Sequence, residues 1–148
     1  MSLEKEIMGK LKEAMKAKDT LSLEALRAVK SAILLEKTKQ KGTELTEADE
    51  LKLLQKLVKQ RKDSADIYKQ QNRDDLAQVE LNQANVIEQF LPKQMSVEEI
   101  EKAVVAIIEK VGAESMKDMG KVMGIASKEL AGKADGKTIS TIVKQKLS

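Results

Sequence analysis

Leu3, Ile7, Leu11 and Met15 recur every four residues, which predicts an amphipathic helix with one apolar stripe. After a break near Asp19, Leu21 to Leu35 is apolar on most sides and predicts a buried second helix. Lys37 to Gly42 is a polar run that ends in glycine, and Thr46-Glu47-Ala48-Asp49 then offers an N-cap followed by first-turn acids. A long third helix is expected from about Glu47 to Gln70, with Leu51, Leu54, Val58, Ala65 and Tyr68 on its core side. Gln71-Asn72 marks a turn. A fourth helix from Asp74 to Phe90 carries Leu76, Val79, Ala84, Ile87 and Phe90, and it must stop before Pro92, which disfavours helical geometry at Leu91.

Beyond the proline, Ser96-Val97-Glu98-Glu99 has the capping-box pattern and opens a helix bearing Val97, Ile100, Val104, Ile107 and Ile108, which ends near Gly112. Ser115-Met116-Lys117-Asp118 repeats the start signal, with Gly132 as the expected stop. Asp135 then caps a last helix through Ile139, Ile142, Val143 and Leu147. The pattern predicts an all-α fold of two helical domains: a four-helix domain over residues 1–91 and a smaller three-helix domain over 92–148.

Composition narrows the chemistry. The 148 residues are 34% charged and 41% hydrophobic, with Tyr68 and Phe90 the aromatics, a mix that favours helices over sheet. There is no cysteine and no histidine, which excludes disulfides, thiol catalysis, histidine-based triads and the usual zinc sites. The start, Met1-Ser2-Leu3-Glu4-Lys5-Glu6, has acids where a signal peptide needs an apolar run, and no stretch approaches the ~20 apolar residues of a membrane span. A cytoplasmic location, with no membrane contact, is the expectation. The net charge of +3 is uneven, because residues 119–148 hold six lysines against Glu129 and Asp135. Such a patch suits either solubility or a polyanionic partner.

Projected on an ideal helix, Met116, Met119, Met123, Ala126 and Leu130 share an apolar sector that reads as core. Opposite them Lys117, Lys121, Gly124 and Lys128 fall nearly in line, with Gly120 beside them. A glycine inside a helix costs about 1 kcal/mol relative to alanine. The pair therefore either admits another helix between the lysine stems or leaves backbone open for an anionic chain such as a phosphodiester. On the final helix Lys137, Ser140, Thr141 and Lys144 form the polar side, and Gly132, Lys133, Gly136 and Lys137 gather at its start, where free N–H groups favour an anion. That loop is not a phosphate-binding P-loop: three residues separate its glycines where the motif needs four, and no apolar strand precedes it. The run Lys59-Gln60-Arg61-Lys62 is either a solvated face or a second phosphate contact. The acids read as helix-start residues, so the sequence points to no catalytic residue, no metal site and no cofactor.

Lys117-Asp118-Met119-Gly120-Lys121-Val122-Met123-Gly124, Gly132-Lys133-Ala134-Asp135-Gly136-Lys137, Val58-Lys59-Gln60-Arg61-Lys62-Asp63-Ser64 and the Phe90-Leu91-Pro92 junction together resemble the YqeY family along essentially the whole chain. Proteins of this kind are small, all-helical and similar to the C-terminal tail of GatB, the B subunit of the glutamine-dependent amidotransferase that converts Glu-tRNA(Gln) or Asp-tRNA(Asn). The resemblance implies an amidotransferase-related protein whose tail-like part contacts tRNA, without the ATP-dependent and glutamine-hydrolysing parts. It carries Lys117, Gly120, Lys121, Gly124, Lys133, Gly136 and Lys137 over as RNA-contact candidates. Lys128 and Lys144 join them by helical projection. The leading expectation is a non-catalytic tRNA-binding accessory module. Competing expectations are a helical adaptor docking on amidotransferase subunits or another protein, and, third, carbon–nitrogen ligase chemistry with glutamine as donor within a complex.

Overall fold

A computed structural model describes residues 2–41 and 44–148, and among them every regular element is helical. Gly42, the expected end of the polar run after the second helix, lies outside the described residues. Contacts divide the chain into two compact units, Met1–Leu91 and Pro92–Ser148.

In the first unit, α1 (Leu3–Ala17) begins where the Ser2 hydroxyl accepts the Lys5 N–H and ends at Lys18 in left-handed geometry, φ 56°. Asp19 opens α2 (Thr20–Lys39), accepting from the Ser22 N–H at 3.1 Å and the Ser22 hydroxyl at 2.6 Å. These two bonds hold its carboxyl below the usual range. A reciprocal capping box starts α3 (Glu47–Gln70): Thr46 Oγ1 accepts the Asp49 N–H and Asp49 accepts the Thr46 N–H, each at 3.1 Å. After Asn72, also left-handed, α4 (Asp74–Glu88) returns against α3. Fully buried alanines on both helices, Ala65, Ala77 and Ala84, let their backbones come close. The core gathers Ile7, Leu26, Val29, Ile33, Leu54 and Ile87. Burying each such side chain is worth about 1.5–3 kcal/mol against leaving it in water.

Three expectations about this core are corrected. Met15 is 60% exposed and Ala14 is buried in its place. Each step of four residues overshoots a full turn by about 40°, so Met15 points about 120° from Leu3 whereas Ala14 returns to within about 20°. The second helix is not buried all round: Ala25, Leu26, Val29 and Ile33 make one inward stripe, and Leu34 (49%) and Leu35 (60%) lie outside it. On α4, Val79 is exposed and Ala77 takes the core position.

Two long-range ties fix the start of α1. The Leu3 N–H donates to Glu50 Oε2 at 3.0 Å, and Lys37 Nζ meets Glu4 at 2.6 Å. That hydrogen bond, followed by the attraction of Glu4 and Glu44, raises the Lys37 pKa.

The second unit is built from α5 (Val97–Val111), a 3-10 turn (Met116–Asp118), α6 (Met119–Glu129) and α7 (Gly136–Leu147). Ser96 and Glu99 close the expected capping box, which lowers the Glu99 pKa, and Gly112 ends α5 at φ 68°. Ile100, Val104, Ile107, Val122, Ala126 and Val143 make the centre of the core. The segment entering α5 is tied to the loop before α7: Gln94 Nε2 donates to the Gly132 carbonyl at 2.7 Å and the Met95 N–H to the Lys133 carbonyl at 2.9 Å.

Candidate functional site

The sixth helix does not begin at Met116. Ser115 Oγ accepts the Lys117 N–H at 3.3 Å and Asp118 accepts the Glu114 N–H at 3.0 Å, and these local bonds wind residues 116–118 as a 3-10 turn. The tighter winding moves Met116 out of the apolar sector to 44% exposure. The buried line is Val122, Ala126 and Leu130, with Met119 and Met123 half-buried beside it. The helix ends at Glu129 rather than Gly132, which lies beyond it in the loop at φ 75°.

On the other side of α6, Gly120, Lys121, Gly124 and Lys128 are all exposed. Lys121, Gly124 and Lys128 keep the i, i+3, i+7 spacing of one helical line. Lys117, in the 3-10 turn that precedes α6, is also exposed. A Cβ built at Gly120 or Gly124 would have no atom within 4 Å apart from its own helix backbone and chain neighbours. Among the described residues of the second unit, the two glycines therefore do not serve a helix contact.

Lys137 and Lys144 are exposed seven residues apart on α7, and Lys133 is exposed in the loop that precedes it. The start of α7 is less open than its glycines suggest. Asp135 accepts the Lys137 N–H at 3.3 Å and the Thr138 hydroxyl at 3.2 Å, so a carboxylate of the chain already faces the N-terminal donors. A Cβ at Gly136 would meet nothing within 4 Å, while Gly132 and Ala134 are buried and turn their part of the loop inward. The cap expected from Asp135 is formed, and its carboxylate stands at the α7 start beside the backbone where an anion was expected. Elsewhere in the unit the groups open to an anion are exposed side-chain ammonium groups and the exposed glycine positions of α6.

The charges of the two units are used differently. Among the described residues every ion pair falls in the first unit, so Lys117, Lys121, Lys128, Lys133, Lys137 and Lys144 are all unpaired. By contrast, the basic run of α3 is engaged: Lys59 pairs with Asp63 at 3.3 Å, Lys62 with Glu88 at 2.7 Å, and Arg61 bonds Gln83 at 3.2 Å and the Leu57 carbonyl at 3.1 Å. These bonds favour a structural use of that run. Among the described residues no three acids gather as a metal site, and no helix is long and apolar enough to cross a membrane.

Sequence reasoning missed a groove between α2 and α3, lined by Leu35, Leu53 and Leu57 with Lys39, Lys52 and Lys56 around them. Its signal was Leu34-Leu35, which continues past the inward stripe of α2.

The model of the Yqey-like protein family matches residues 4–147. The chain belongs to this family. Relatives of this YqeY-like chain include proteins named "Altered inheritance of mitochondria protein 41, mitochondrial" from three yeasts. The Clavispora lusitaniae protein is 38% identical over 81 residues, which cover 55% of this chain and 46% of the relative. One from Saccharomyces cerevisiae is 28% identical over 141 residues, 91% of this chain and 71% of the relative. That of Vanderwaltozyma polyspora is 34% identical over 116 residues, 74% and 62% respectively. The expectation of a cytoplasmic location is corrected by these names: the three yeast relatives are named as mitochondrial proteins, so the default drawn from the N-terminal residues does not hold.

Proposed function

We propose that this YqeY-like protein is a non-catalytic tRNA-binding accessory module, related to tRNA-dependent amidotransferases, whose contact surface is the exposed side of α6 together with the lysines of the α7 region. The observation that carries the reading is the pairing of unpaired Lys121 and Lys128 with open backbone at Gly120 and Gly124. A bare helix backbone between two ammonium groups lets a sugar–phosphate strand approach closely, and the lysines neutralise its charge. Lys117, Lys133, Lys137 and Lys144 would extend the same field. With no aromatic side chain in residues 92–148, base stacking is not available, so recognition works by shape and charge.

Binding of this kind weakens with salt, by a slope of about 0.9 in log K per log salt for each phosphate neutralised on a duplex. Filter retention of labelled tRNA at two ionic strengths tests it. The expected result is retention at low salt that falls steeply at the higher ionic strength, with Lys121→Ala/Lys128→Ala flattening the slope by about two. Absence of retention at low salt overturns the proposal.

A further inference from the structure

The groove between α2 and α3 occupies about 320 Å³ and lies within the first unit. Its wall on α3 follows helical repeats: Leu53 and Leu57 on one line, Lys52, Lys56 and Gln60 on the next. On α2 the facing wall is Ala32 and Leu35, with Lys39 at the end. Leu35 is the most exposed apolar side chain here, and Leu53 and Leu57 are half-buried against the core. From Asp49 to Gln60 the wall rises through 11 residues, about 17 Å.

The rim charges are uneven in availability. Asp49 is committed to the capping box with Thr46, and Glu36 accepts from Gln40 Nε2 at 3.5 Å. Among the described residues Lys39 and Lys56 form no ion pair, and Lys52 lies near enough to Asp49 to help lower its pKa. An apolar floor of Ala32 and Leu35 on one wall and Leu53 and Leu57 on the other, about one helical turn long and bordered by three lysines, complements an amphipathic helix with acidic flanks. Leucine-type anchors at i and at i+3 or i+4 would cover Leu35, Leu53 and Leu57, and carboxylates beside them would meet the ammonium groups. We infer that this groove is a docking site for an acidic amphipathic helix of a partner protein. The site is separate from the α6 surface and does not rest on the tRNA reading.

The test uses the full chain and a labelled synthetic peptide of about 14 residues, long enough to span the groove as a helix. Its leucines follow the anchor spacing and its flanks are glutamates; a twin carries lysines instead. Fluorescence anisotropy should show salt-sensitive binding of the glutamate peptide and much weaker binding of the twin. Leu35→Asp should weaken the glutamate peptide by at least about tenfold, and Lys56→Glu should weaken it while strengthening the twin. Both positions are exposed, so circular dichroism should be unchanged. Leu34→Asp, the neighbouring exposed leucine outside the groove, should have no effect, and tRNA retention should be unaltered by all three changes. Equal binding of the twin, equal loss with Leu34→Asp, no binding up to about 1 mM, displacement of the peptide by single-stranded RNA, or self-association abolished by Leu35→Asp would each overturn the inference.

Discussion

Gly124→Ala separates folding from binding on the same atom. Gly124 is the sixth of the eleven residues of α6, away from both ends, and a Cβ there enters open space. Alanine should therefore recover the ordinary helix preference with no steric cost, about 0.5–1 kcal/mol. At 25 °C that gain slows amide exchange through unfolding of α6 by about two- to fivefold, and it raises the melting midpoint of a unit of this size by up to about 4–8 °C. Hydrogen exchange of the full chain, resolved by residue, reads the first, and scanning calorimetry reads the second. If the open backbone is what an RNA strand approaches, the same variant should lose tRNA retention while becoming more stable. A lowered midpoint or faster exchange in α6 would refute the reasoning, because it would mean that something packs over Gly124. Unchanged tRNA binding would remove the backbone from the proposed contact and leave the lysines alone.

Gly120→Ala should stabilise less than Gly124→Ala by the same exchange measurement, because Gly120 sits in the first turn, where helix preference counts for less. Ile107→Ala, in the core of the second unit, should cost about 2–5 kcal/mol and be read as faster exchange in α5–α7 with α1–α4 unaffected. Ser96→Ala should cost about 1 kcal/mol through loss of the α5 cap, measured by urea denaturation. The Asp49 and Glu99 carboxyls have folded pKa values below their ordinary 3.8 and 4.5, each mainly because it accepts a backbone N–H in its capping box. Their contribution is complete above those ordinary values and is lost as pH falls through the folded ones, so thermal stability should drop on acidification below about pH 4.5. Glu99→Gln, which keeps an acceptor but not the charge, should flatten that acid limb for α5.

The elements most legible in the sequence are those whose ends carry their own chemistry. Ser96/Glu99 announces a capping box and Thr46 an N-cap, both of which the structure forms, the second also as a reciprocal box with Asp49, and α3 spans the predicted Glu47–Gln70. A reciprocal pair of short-range bonds needs no tertiary information. Burial was less legible because it depends on phase: repeated four-residue steps suggested Met15, while the true stripe turns to Ala14. The 3-10 turn at Met116–Asp118 hid for a related reason, since Ser115 and Asp118 also suit an ordinary helix start. At the candidate site, the line Lys121–Gly124–Lys128 followed from periodicity, but whether Gly124 was covered could be learned only from what surrounds it. Of the α2–α3 groove only the Leu34-Leu35 overrun of α2 shows in the sequence, because its walls come from two helices whose pairing the pattern does not give.

The bonds from Gln94 and Met95 to the Gly132 and Lys133 carbonyls have a mechanical consequence. The chain enters the second unit beside the loop that carries Lys133, and tension applied upstream of Pro92 reaches that loop before it can peel α5 from its neighbours. A load on Lys133 travels the opposite way along the same two bonds. The tether and the loop are thus joined at two points, so a displacement of either is passed to the other.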